Sequence, residues 1–211
     1  MCGFVDTIVF VHMGGLFVAH VTGNFVLLGV TIVGTPATGL HSDTTYLQIA
    51  TFPVFILAAF LATLLHDRWP SRDAKMLMWI VAILVLAAAI WSCAGFAADV
   101  GASVILVCAM AALNAAQRLA PELGPPTTVM TGNTTQVAVS LARRIRPITA
   151  FKEKAASLQV SSMLVVTFLI GCVSGALSAD RFGLTAVALP VGLLVGILAL
   201  YPDTETKKAS A

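Results

Sequence analysis

Five apolar runs, residues 48–65, 76–98, 101–117, 160–179 and 184–200, constrain this chain more than any other feature. Each approaches the roughly 20 residues that a helix needs to cross about 30 Å of hydrocarbon. The charge content agrees: 10% of the residues are charged and 58% are hydrophobic, against roughly 25% charged in soluble domains. The runs are continuous and rich in Ala, Leu and Gly, so they do not read as the alternating ten-residue strands of a membrane barrel. The expectation is an all-α, polytopic helical membrane protein forming a single membrane domain in the lipid bilayer.

Polar residues interrupt this pattern at two related places. "FVAHVTGNFVLLGV" holds Thr22, Gly23 and Asn24, and "VMTGNTTQVAV" holds Thr131, Gly132 and Asn133 in the same order. Other correspondences extend the repeat. Apolar helices close at Asp67-Arg68-Trp69 in one half and Asp180-Arg181-Phe182 in the other, and Ala58 and Ala62 fall opposite Gly171 and Gly175. Such small-x-x-x-small pairs allow close helix approach in lipid. "GFVDTIVF" aligns with "AALNAAQR", so Asp6 meets Asn114. The repeats are expected over 1–93 and 94–200, followed by a polar cytoplasmic tail, 201–211. Residues 101–110 have no counterpart in the first half, so either the first helix is short or the chain starts late. A late start places Asp6 within the membrane.

Loop charge sets the topology, because Lys and Arg collect on the cytoplasmic side. Arg68, Arg72 and Lys75 mark one inside loop; Arg143, Arg144, Arg146, Lys152 and Lys154 mark another. Residues 34–47 and 94–100 carry no Lys or Arg and are expected outside. Residues 101–142 must then make one net crossing although they are long enough for two. The Thr-Gly-Asn segment is therefore re-entrant or part of a broken helix, and residues 1–33 should do the same in the opposite sense. This gives two inverted repeats of three net crossings each. Pro121, Gly124, Pro125 and Pro126 supply the break in the second half, and Gly14 with Gly15 in the first. Inverted repeats with broken helices near the midplane are a recurring transporter plan.

These motifs resemble the bacterial YoaK-like family of integral membrane proteins. The resemblance rests on Gly3, Asp6, Gly14, Gly15, Phe17, Thr22, Gly23 and Asn24, and in the second half on Asn114, Thr127, Thr128, Thr131, Gly132 and Asn133. It implies a bacterial cytoplasmic (inner) membrane location and no particular substrate. "GALSADRFG" also looks like the Gly-x-x-x-Asp-Arg loop of major-facilitator transporters, but has one residue too many and falls on the opposite side by charge.

The candidate solute-binding residues are Asp6, Thr22, Gly23, Asn24, Asn114, Gln117, Thr127, Thr128, Thr131, Gly132 and Asn133. Thr and Asn at a half-helix start suit an ion or small polar solute; alternatively they cap the half-helices and bond to the other repeat. An intramembrane Asp needs a partner or a function, so Asp6 is a proton or cation site, a structural bond to the opposite break, or, if the chain begins at Met1, simply exposed. Gln117, Arg118 and Glu122 either line an entrance or form a solvated loop. His12 and His20 lack the spacing of a metal pair and are read as polar core or interfacial residues, with no metal and no cofactor expected. The four cysteines are read as packing residues.

Gly192 and Gly196 repeat the Gly-x-x-x-Gly spacing and serve either internal packing or a homo-oligomer face. The net charge of +2 gives no reason to expect nucleic acid. No zinc-hydrolase, serine-hydrolase or phosphate-loop motif is present, so no enzymatic activity is expected. The leading expectation is a small secondary transporter or channel-like permease. The other is a non-transporting scaffold, assembly or sensor subunit acting through helix contacts.

Overall fold

The computed structural model describes residues 1–34, 44–68, 74–145 and 155–200. Helices α1 (Cys2–His12) and α2 (Gly23–Val33) are short; α3 (Thr45–Arg68), α4 (Ala74–Ser92) and α5 (Phe96–Leu119) are long. They are followed by α6 (Met130–Ile145), α7 (Ala155–Phe182) and α8 (Leu189–Leu200), with 3-10 turns at Pro121–Leu123 and Gly183–Ala188. No strand occurs among the described residues.

Among the described residues, four helical stretches are long and apolar enough to cross a membrane: Thr45–Arg68, Lys75–Ser92, Ala98–Leu119 and Leu158–Leu200. The last, at 43 residues, is about twice the length one crossing needs. It is interrupted at Gly183, whose φ of +59° ends α7 in a left-handed residue. Large apolar side chains face outward along these helices, including Ile56, Phe60 and Leu64 on α3 and Val166, Ile170 and Val173 on α7. Such rows are costly in water and well matched to hydrocarbon, which marks the chain as a membrane protein.

The most enclosed helix is α5. Ala102, Leu106, Ala109 and Met110 on it are fully buried, as are Leu77, Val81, Val85 and Ala88 on the partner helix α4. The two halves of the chain interleave rather than sit apart. Helix α1, from the first half, packs on α7, from the second; α5, from the second half, packs on α3, from the first. Small residues make the first of these contacts possible. A methyl added at Gly175 would lie 2.6 Å from the Phe4 carbonyl oxygen, and one at Gly3 would lie 2.7 Å from the Phe168 carbonyl oxygen. The Gly171 and Gly175 spacing is therefore an internal contact. Gly192 and Gly196 differ: among the described residues nothing lies where their side chains would be, so internal packing, one of the two readings of that spacing, is not what they do there.

Both short connections reverse the chain. Helix α1 ends at Gly14 and Gly15, with φ of +64° and +109°, conformations that side chains beyond glycine adopt only with strain. Helix α5 ends before Pro121, and Gly124, at φ +87°, turns the chain again. The loops 35–43, 69–73 and 146–154 and the tail 201–211, which bear much of the charge-based topology, lie outside the described residues.

Candidate functional site

After Gly15 the chain runs back alongside α1 instead of continuing away from it. The backbone amides of Val18 and Ala19 donate to Asp6 Oδ1 at 2.8 and 2.7 Å, and the amide of His20 donates to Asp6 Oδ2 at 3.1 Å. His20 Nδ1 completes the set on Asp6 Oδ2 at 2.5 Å. Asp6, 3% exposed, thus satisfies three amides that no helix or strand would otherwise pair. Its partners lie in its own half. The expected structural bond to the opposite Thr-Gly-Asn break is not what forms, because the nearer orphan amides belong to the segment the Gly14-Gly15 turn brings back.

Asn24 closes the same loop. Its Oδ1 accepts from the Phe17 amide at 2.9 Å, while its Nδ2 donates to the Phe17 carbonyl at 2.8 Å and to Thr51 Oγ1 on α3 at 2.9 Å. This is one side chain replacing a strand partner for residue 17. Gly23 is required beneath it, since a methyl there would lie 2.8 Å from the Phe17 ring. Gln48 of α3 adds a bond from Nε2 to the Gly15 carbonyl at 2.8 Å.

The second half repeats this device with different parts. Asn133 Nδ2 donates to the Pro126 carbonyl at 3.3 Å, seven residues back, as Phe17 is from Asn24. The role of Asp6 passes to Gln117 rather than to its aligned partner Asn114. Gln117 Oε1 accepts from the Thr127 amide at 3.0 Å and from Thr127 Oγ1 at 3.2 Å. Cys2 Sγ lies 3.0 Å from Thr127 Oγ1 and ties α1 to this break. Gln117 is buried, so it holds the loop and does not line an entrance. The Glu122 side chain lies outside the described residues. Gly132 would bring a methyl to within 3.3 Å of Val129.

Neither threonine of the motif caps its helix. Thr22 occupies the N-cap of α2 with a helical φ of −67° and no side-chain cap bond, and Thr131 lies within the first turn of α6. Capping needs an extended residue whose oxygen turns back on the helix, and these backbones are already helical. Both threonines are exposed, whereas Asn24 and Asn133 are buried.

The exposed faces of the two breaks meet. A cavity of ≈ 520 Å³ is lined by His20 and Thr22 from the first break and by Asn114, Thr128 and Thr131 from the second, with Phe52, Phe55 and Ile56 of α3 completing the wall. Two buried polar atoms here, His20 Nε2 and Thr128 Oγ1, have no hydrogen-bond partner. Of the sequence-predicted residues, then, Thr22, Asn114, Thr128 and Thr131 line the cavity. Asp6, Asn24, Gln117, Thr127 and Asn133 support it from behind, and Gly23 and Gly132 permit close packing.

Two His–Asp hydrogen bonds were missing from the sequence reading. One is Asp6 with His20; the other is His12 Nε2 with Asp99 Oδ2 at 2.8 Å, where Asp99 also accepts from Ser92. The second cluster joins the end of α1 to the α4–α5 corner, with Gly183 giving room for the His12 ring. The rule that a buried carboxylate needs a partner pointed to both. At the α3 terminus, Asp67 contacts His66 at 3.5 Å. No group of three or more metal-ligating side chains is found among the described residues.

The chain is similar to the UPF0700 transmembrane protein YoaK of Bacillus subtilis (strain 168), with 25% identity over 206 residues covering 93% of this chain and 87% of that protein. No solved structure matches. The family described as "Protein of unknown function (DUF1275)" matches residues 1–200, and the chain, with its broken helices and outward apolar faces, belongs to that family of membrane proteins.

Proposed function

We propose that the protein is a small secondary transporter or channel-like permease of the bacterial cytoplasmic membrane, carrying an ion or small polar solute through the cavity between its two breaks. The observation that carries this reading is the convergence of both Thr-Gly-Asn segments on one cavity, two of whose lining residues, His20 and Thr128, hold buried polar atoms without a partner. Irregular backbone at membrane depth is tolerated where it is buried in protein or lines such a space. Unpaired polar atoms there are costly unless something occupies the site for part of the cycle.

Two inverted repeats give the cavity its form in this reading. The interleaved packing of α1 on α7 and of α5 on α3 supports it, because a two-fold relation would generate one pair from the other. The seven-residue Asn clasp present in both halves supports it as well. Each half would contribute three net crossings, with α2 and α6 as the inner half-helices. Transport is tested by flux into proteoliposomes holding the purified chain, together with a thermal-stabilisation screen against ions and metabolites. A selective solute that both stabilises and permeates is the expected result; neither effect with any solute favours the alternative.

That alternative is a partner-binding subunit, and one observation favours it. Gly192 and Gly196 on α8 leave an open small-residue face, suited to another helix, including one from a second copy of the chain.

A further inference from the structure

Resting on the proposal that the cavity holds solute, we infer that His20 is its proton-binding group and that the protonated ring joins Asn114 and Thr128 in holding a small oxyanion, so that proton and anion enter together. The orientation of the ring follows from Asp6. As a carboxylate accepting three backbone amides, Asp6 has no proton to give, so His20 Nδ1 is the donor in its bond to Oδ2. That leaves Nε2, a buried atom without a partner, on a residue that lines the cavity. The Phe168 ring meets the imidazole edge-on at 5.3 Å from the α7 side and keeps it from turning.

Protonation changes what the site accepts. With a neutral ring, Nε2 is a bare acceptor and the His20–Asp6 pair carries a net negative charge, which repels an anion. With an imidazolium, Nε2 becomes a donor and the pair is neutral. The other walls favour an acceptor-bearing solute. Asn114 Oδ1 is taken by Arg118 Nε at 3.3 Å, leaving the Nδ2 hydrogens as its remaining polar group, and Thr128 Oγ1 is free to donate. The charged group bonded to the ring is Asp6 on α1; α7 presents Phe168, and Arg118 on α5 bonds Asn114, another lining residue. Helix α3 presents Phe52, Phe55 and Ile56, and α6 presents Met130 and Thr131.

The test uses the full chain, purified and labelled with 15N-histidine, and follows the His20 ring signal against pH with sodium acetate or inorganic phosphate as the anion. The His20 signal is assigned by its loss in His20→Gln; the titration itself is read on the unaltered protein. At least one anion is expected to bind ten-fold more tightly at about pH 5.5 than at about pH 8, and by reciprocity to move the ring's midpoint up by about one pH unit. A midpoint unmoved by either anion, or a ring fixed in one form across this range, overturns the inference. Binding of either anion with equal affinity at both pH values and in His20→Gln also overturns it, while leaving the cavity a solute site. Asn114→Ala is expected to weaken the anion effect without removing the ring's titration.

Discussion

Replacing Asn24 with Ala should cost far more than the same change at Asn133, although both end a Thr-Gly-Asn sequence. Asn24 is 0% exposed and makes three bonds; Asn133 is 8% exposed and makes one long bond, 3.3 Å, to Pro126. Asn24→Ala leaves the part-buried Phe17 N–H and C=O without these partners, at about 1–3 kcal/mol for each. The lost bond to Thr51 adds about 0.6 kcal/mol, the average for side-chain bonds between membrane helices. The sum is about 3–7 kcal/mol, against about 1 kcal/mol for Asn133→Ala. Reversible unfolding in mixed micelles, read by circular dichroism, gives both numbers on one scale. A double-mutant cycle of Asn24→Ala with Thr51→Val isolates the inter-helix part and should return a coupling of about 0.6 kcal/mol. Equal costs for the two asparagines would refute the reasoning. It would mean that the Phe17 backbone finds water or another partner as readily as Pro126 does.

The glycine contacts separate internal packing from an open face. Gly175→Ala should destabilise by about 1–3 kcal/mol, because its methyl would strike the Phe4 carbonyl. Gly192→Ala should stay within about 0.5 kcal/mol; micelle unfolding of the two variants in parallel checks both, and a costly Gly192→Ala would show that α8 is covered. Topology has its own test. In a background without native cysteines, Gly34→Cys should react with an impermeant thiol reagent from outside the cell and Ile145→Cys only from the cytoplasmic side; labelling of both from one side would refute opposed repeats.

Much of this architecture was legible in the sequence because lipid simplifies the code. Apolar length marked the helices long enough to cross, and small residues spaced by four marked a close helix approach at Gly171 and Gly175 without naming α1 as the partner. The breaks were legible too, since Gly14-Gly15 and the Pro121–Pro126 segment end helices by local backbone chemistry alone. Roles within the breaks were harder to read. Aligning the halves paired Asp6 with Asn114, but the loop bond in the second half is made by Gln117, one helical turn further on. A side chain one turn away reaches the same loop, and alignment does not distinguish the two. Of the two readings open for the threonines, solute contact or capping, the caps do not form, because the preceding backbone enters the helix already wound; both threonines are exposed at the cavity instead. His12 and Asp99 are 87 positions apart, and only the packing of α1 against the α4–α5 corner brings them together.

The central claim is that Thr22 and Thr131, from opposite halves, face one shared cavity. In the cysteine-free background, Thr22→Cys and Thr131→Cys can each be modified in native membranes with a bulky maleimide, singly and in sequence. Both are expected to react, and modification of the first should block the second, because a cavity of ≈ 520 Å³ leaves little room for two such groups. Independent and complete reaction of both sites would contradict the account, since it would place the two Thr-Gly-Asn segments in separate spaces.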